Sequence, residues 1–203
     1  MITVAALYVM ANGPYAGLDG VECWDEARDA RAYAGPWPVV AHPPCARWGN
    51  YWYGSPSGTQ RFQLGADGGC FAAALAAVKR WGGVLEHPAG SRAWLASDPL
   101  SPPAEGGWVS AGMLDGGWTC HVEQGHYGHR GRKSTWLYAC GVELPRLAWG
   151  PSSAAPEPGK ERAGRGEMRG VIEIMSKRER TETPAPFRDV LLEIARTARR
   201  SSP

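Results

Sequence analysis

The chain has no apolar run near the roughly 18 residues that a membrane-spanning helix requires, and its first residues lack the basic start of a signal peptide. Both absences point to a soluble, cytoplasmic protein with no membrane partner. It has no Cys-x-x-Cys pair. Cys23, Cys45, Cys70, Cys120 and Cys140 are scattered and odd in number, which argues against a disulfide framework and for reduced thiols. His42-x-x-Cys45 alone, with His87, His121, His126 and His129 spread along the chain, is too irregular for a zinc site, so no metal is expected. Nor is there a strong charge of one sign. Lys and Arg number 22 against 20 Asp and Glu, a formal net charge of +2, so no overall field demands a nucleic-acid partner. Basic residues gather only beyond Lys160. No internal repeat is visible.

What the chain does have is 203 residues with 43% hydrophobic content, enough for one good core. Ten tryptophans and 27 glycines imply tight turns beside large flat side chains. Ile2 to Val9 reads as a central strand, and Val21 to Tyr33 holds a short helix around Glu26 to Tyr33. Val39 to Ala41 reads as a second strand. The clearest helix runs from about Gly69 to Trp81, with Asp67 as its cap and Gly82-Gly83 as its stop. The strand Val84 to Glu86 follows, completing a βαβ crossover and hence a parallel pair with Val39 to Ala41. Ser97 to Gly107 is a Pro/Gly loop. Thr119 to Gln124 and Thr135 to Cys140 read as an antiparallel pair. The expected organisation is an α/β catalytic domain over 1–150, a flexible linker or insertion over 151–183, and a helix over 184–200 that docks on the core. That helix opens near Pro184 or Pro186, with Thr183 as its cap.

The chemistry concentrates where strands end. Val39-Val40-Ala41 stops at His42-Pro43-Pro44-Cys45, and prolines cannot prolong a central strand, so a thiol sits on a stiff loop at a strand end. Val84-Leu85-Glu86-His87-Pro88 ends in a comparable way, with a carboxyl group. A thiol and a carboxyl on neighbouring loops suit covalent catalysis with an acid partner. Next comes Gln124-Gly125-His126-Tyr127-Gly128, then Arg130, Arg132 and Lys133. Thr183-Pro184-Ala185-Pro186-Phe187 opens the last helix.

In these segments the chain resembles the DNA (cytosine-5) methyltransferases, in particular the short versions carried by bacteriophages, over roughly Val39 to Tyr138 plus the last helix. The resemblance implies a Rossmann-like methyltransferase-type sheet, mostly parallel, with an antiparallel pair near 119–140 and a reduced N-terminal half. It implies Cys45 as nucleophile, Glu86 as acid, and Arg130 and Arg132 as the basic pair. It also implies S-adenosylmethionine as cofactor, held by Tyr8, Glu22, Asp25 and Pro43. The partner would be duplex DNA, of phage or host, gripped by Arg47, Trp48, Tyr51, Tyr127 and Lys133.

Elementary chemistry agrees with that mapping. Carbon 5 of cytosine is a poor nucleophile until something adds to carbon 6, and a thiolate is the best side chain for the addition. A carboxyl group at ring nitrogen 3 stabilises the charge that develops. A base inside a duplex must be extruded into a pocket, and the aromatic run Trp48, Tyr51, Trp52, Tyr53 offers surfaces for it. The departures are equally plain. Met10-Ala11-Asn12-Gly13-Pro14-Tyr15 stands where the family has a Gly-rich turn, His87 replaces the family's asparagine, and a large target-recognition domain is missing. Two other readings follow: a pyrimidine-modifying enzyme that needs no S-adenosylmethionine, and a non-catalytic DNA-binding or decoy protein. Target sequence, strand state and oligomeric state stay open.

Overall fold

Apolar runs that are buried on both faces belong in the interior of a parallel sheet, and Val4–Leu7 (β1) is one, buried at every position. In the computed structural model, which describes residues 1, 3–54, 58–97, 102–103, 105–154, 179 and 181–198, β1 has a parallel neighbour on each side. These are Val21–Trp24 (β2) and Val39–Ala41 (β3). Gly83–Pro88 (β4) lies parallel to β3, with Val39 opposite Gly83 and Ala41 opposite Leu85. Three antiparallel strands follow: Val109–Ser110 (β5), Gly117–Glu123 (β6) and Ser134–Cys140 (β7). β7 pairs with β4, β6 with β7 and β5 with β6. Among the described residues the order is β2-β1-β3-β4-β7-β6-β5, a seven-stranded mixed sheet in an α/β fold.

One helix covers each face. Cys70–Trp81 (α1) lays Phe71, Ala74, Ala77 and Val78 on the face formed by Leu7, Ala41, Leu85 and Tyr138. Ala93–Ala96 (α2) adds one short turn after β4. Ala185–Arg196 (α3) lays Phe187, Leu191, Leu192, Ile194 and Ala195 on the opposite face, against Val4, Ala6, Val40, Val84, Leu137 and Ala139. Odd and even strand positions thus feed two separate apolar layers, as the pleat requires. Gly83 makes the β3–β4 pairing possible. Its φ of +127° favours glycine, and a Cβ there would lie 2.0 Å from the Val39 carbonyl oxygen.

Several expectations change. β1 is shorter than Ile2 to Val9: Ile2 lies outside the described residues, and Tyr8 ends the strand with φ at 62°. The helix expected around Glu26 to Tyr33 is only a 3-10 turn over Ala30–Ala32. Asp29 there accepts from the Arg31 backbone N–H and from its guanidinium, a local bond that competes with helix propagation. α1 starts at Cys70 with Gly69 at the cap position, yet Asp67 still serves that end. Its carboxylate accepts from the Gly69 and Phe71 N–H groups, each at 2.9 Å. The residue at the cap position of α3 is Pro184, not Thr183: its backbone is still extended, Ala185 opens the helix, and Pro186 falls in the first turn, where a missing N–H costs no helical hydrogen bond. β5 and α2 were not foreseen. The linker assigned to 151–183 lies mostly outside the described residues, as does the middle of the 97–107 loop. No helix of the described residues is long and apolar enough to cross a membrane.

Candidate active site

The chain leaves β1 toward β2 on one side and returns to β3 on the other, so the strand order reverses between β1 and β3. In open α/β sheets ligands bind outside the carboxyl ends of the strands at such a point. Both the Cys45 loop, after β3, and Glu86, near the end of β4, sit at that edge of the sheet.

The layer facing α3 changes character here. Val40, Val84, Val122 and Leu137 are core. One pleat further along the same face stand His42, Glu86, Gln124 and Thr135. Four adjacent strands therefore end their apolar rows in a polar one, and three of its members are classed as buried. The row is wired together. His42 Nδ1 lies 2.9 Å from Glu86 Oε2, and the Gln124 amide donates to Glu86 Oε1 (3.1 Å) and Thr135 Oγ1 (3.0 Å). The Tyr15 hydroxyl, from the loop between β1 and β2, lies 2.8 Å from His42 Nε2. Arg188 of α3 holds that loop by donating to the Pro14 carbonyl at 2.8 Å.

Glu86 is 8% exposed. Burial alone would raise its carboxyl pKa, but the hydrogen bond and charge of His42, then Lys133 and His87, outweigh it and hold the group at about 2. Glu86 is a carboxylate at neutral pH. His87 points to the other face, edge-on to Phe71 (5.0 Å) and Trp94 (6.0 Å). Burial pushes its imidazole down to about 4, although Glu86 pulls the other way, so it is neutral. The Pro44 carbonyl also draws the pKa of this ring upward, although neither ring nitrogen makes a hydrogen bond.

Cys45 is exposed as a residue, and its carbonyl accepts from the Trp48 and Gly49 N–H groups to form a turn. The protein around its thiol raises the pKa first by desolvation and next by the charge of Glu86, while Lys133 lowers it. The resting group is a thiol. Lys133 is the cation that acts on both Cys45 and Glu86. Its Nζ donates to the Glu182 carbonyl at 2.6 Å.

The other sequence-derived residues divide. Arg130 pairs with Glu179, and Arg132 Nε lies 4.0 Å from Glu123 Oε2. Glu123 in turn accepts from the Ser152 N–H and hydroxyl. Tyr127 packs on Phe187, and its hydroxyl accepts from the Ala148 N–H. Trp48 is pinned, with its indole N–H on Asp67 (2.8 Å) and its ring against Phe71. Arg47 stacks over Phe62 at 3.3 Å. Tyr51 is 67% exposed. Cys45, Arg47, Tyr51 and Phe62 line one open groove of about 710 Å³. The loop bearing them is clasped by Arg92, whose guanidinium donates to the Gly49 carbonyl.

A second cleft, of about 1100 Å³, lies at the strand-order reversal. Tyr8 and Asp25 line it, with Glu26, Asp29, Arg31 and Asp67; Pro44 borders it, Pro43 is the buried residue behind, and Glu22 instead pairs with Arg28 on β2. Four carboxylates there face one guanidinium. The Tyr8 hydroxyl is buried without a hydrogen-bond partner. Its backbone occupies a region that bulky residues rarely adopt, a kind of strain found at ligand sites. No cluster able to hold a metal ion occurs among the described residues.

Tyr15, His42, Gln124 and Thr135 were missed as site residues by sequence reasoning. The signal was present: each of His42, Glu86 and Gln124 stands two residues beyond a buried valine of its strand. No model of a known protein family matches this chain, and no curated protein does either.

Proposed function

We propose that this chain acts on a pyrimidine of duplex DNA in the manner of the DNA (cytosine-5) methyltransferases it resembles. Cys45 would be the nucleophile toward carbon 6, with Glu86 on the edge of the ring that bears nitrogen. The observation that carries the reading is the pairing of Ala41 with Leu85 on adjacent parallel strands, which sets the Cys45 loop beside Glu86 at the ligand-binding edge. The groove shared by Cys45, Tyr51 and Phe62 offers an extruded base aromatic surfaces.

The electrostatics add a coupling. The Glu86 charge helps keep Cys45 protonated, so a base that donates its 4-amino N–H to Glu86, or shares a proton between Glu86 and ring nitrogen 3, offsets that charge and eases loss of the thiol proton. Substrate binding thereby prepares its own nucleophile. Lys133 stabilises the thiolate that forms.

The residues of the larger cleft fit S-adenosylmethionine. Its excess of carboxylates favours a sulfonium and disfavours a phosphate-bearing nucleotide, and the unpartnered Tyr8 hydroxyl awaits a polar contact. Tyr8 and Asp25 would hold the cofactor, which supplies the methyl group when bound. Reduced thiols, all five of them free, suit the cytoplasm. Isothermal titration calorimetry tests the cofactor claim. Micromolar binding of S-adenosylmethionine that weakens in Asp25→Ala is expected. No binding, with or without DNA, would sink methyl transfer and favour a cofactor-independent enzyme or a DNA-binding decoy.

A further inference from the structure

Tyr15 and His42 have no place in the chemistry so far, yet they are joined in series to Glu86. Tyr15 is 2% exposed, its ring centroid is 5.4 Å from that of His42, and its hydroxyl reaches Nε2. The opposite ring nitrogen reaches Glu86 Oε2, and Gln124, in the turn just after β6, holds Oε1. We propose that His42 is a positioning residue for Glu86: it fixes the plane of the carboxylate and keeps it charged, while Tyr15 locks the imidazole from its far side. The inference rests on the reading that Glu86 meets the substrate, and it adds the manner. In the free protein Glu86 presents itself as a hydrogen-bond acceptor, the form that meets the 4-amino N–H of a cytosine, and it is not held protonated in advance.

Hydrogen placement supports this. A carboxylate only accepts, so His42 Nδ1 carries a proton aimed at Glu86 Oε2, and the buried Tyr15 phenol, which stays protonated, meets the opposite ring nitrogen. Each carboxylate oxygen then accepts one bond from the protein and keeps further lone-pair capacity for a ligand. Each oxygen is held by a donor from a different segment, His42 just after β3 and Gln124 just after β6, so the group is fixed from both sides. The titratable groups that act on Glu86 or its partners are few. Lys133 acts from the β6–β7 turn, His87 from the next position on β4, and Cys45 from the loop after β3. From α3, Arg188 and Asp189 act on Tyr15, and Cys23 acts on it from β2. His42 is the titratable group that hydrogen-bonds Glu86 directly among the described residues.

The test follows the Glu86 carboxyl itself, by carbon-13 NMR of carboxyl-labelled glutamate, with the resonance assigned by its loss in Glu86→Gln. In the wild type the resonance stays that of a carboxylate to below about pH 4. In His42→Ala its midpoint rises by about two pH units, since the largest opposition to burial is gone. His42→Asn, whose amide nitrogen can stand in for Nδ1, returns the part of the shift that the hydrogen bond carries. Tyr15→Phe, which removes one hydroxyl and keeps the ring, raises the midpoint by a smaller amount. A midpoint unmoved in His42→Ala overturns the proposal, as does an Asn variant no better than Ala. Should His42→Ala fail to fold, an unmoved midpoint in Tyr15→Phe overturns it instead. Every readout is on the free protein. Failure of methyl transfer would therefore strike the proposed function, whereas an unmoved midpoint would strike this inference alone.

Discussion

Glu86→Gln removes the one carboxylate whose charge the polar row is built to hold, and its effect on stability depends on pH in a calculable way. Folding lowers the Glu86 pKa from 4.5 to about 2, so between those values the unfolded chain binds the proton that the folded chain refuses. The stabilisation is complete above 4.5, falls as the pH drops, and is gone below 2. At 1.36 kcal/mol per pH unit it amounts to about 3 kcal/mol at neutral pH, shared with His42 as its partner. Linkage then gives a loss of about 2 kcal/mol between pH 6 and pH 3, with the remainder lost at lower pH. The assay is urea denaturation of the wild type and Glu86→Gln across that range. Other carboxylates titrate in both proteins and cancel in the difference. The gap between the two stabilities should close as the pH falls. Parallel curves would refute the claim that Glu86 is held ionised in the folded state.

Three more outcomes are expected. Because desolvation and the Glu86 charge raise the Cys45 thiol, its alkylation by iodoacetamide at pH 7 should be slower than that of free cysteine and faster in Glu86→Gln; a rate indifferent to Glu86 would uncouple the two. Asp67→Ala strips two N–H acceptors from the start of α1 and the partner of Trp48, and should cost about 1–2 kcal/mol in urea denaturation. A neutral result would mean that the helix end is satisfied otherwise. Gly83→Ala, with its Cβ driven toward the Val39 carbonyl, should cost about 3 kcal/mol or more, and a variant of wild-type stability would contradict the tight β3–β4 approach.

Much of the parallel half of the sheet was legible because its signals are local. Val39-Val40-Ala41 halts at two prolines, and α1 carries an apolar face with Gly-Gly as its stop. β6 and β7 were likewise visible as apolar runs around a polar turn. β2 was harder, since an edge strand half-buried at every position, with Glu22 in its middle, carries no continuous apolar run. The Glu26 to Tyr33 helix failed for a reason invisible in composition: Asp29 and Arg31 satisfy each other across two residues. At the site, Cys45 and Glu86 announced themselves through their prolines. The contact of Tyr15 with His42, and of Gln124 with Glu86, spans long stretches of chain and exists only once the register is set. Arg130, Arg132 and Lys133 look alike in sequence. Folding pairs the first two with Glu179 and Glu123, while Lys133 donates to the Glu182 carbonyl and acts on Cys45 and Glu86.

The most direct measurement is covalent trapping on DNA in which cytosine is replaced by 5-fluorocytosine, in the presence of S-adenosylmethionine. A protein–DNA species that survives denaturation, maps to the peptide containing Cys45 and disappears in Cys45→Ala is the expected result. No adduct on any 5-fluorocytosine DNA, or one that persists in Cys45→Ala, would contradict attack by Cys45 on an extruded pyrimidine.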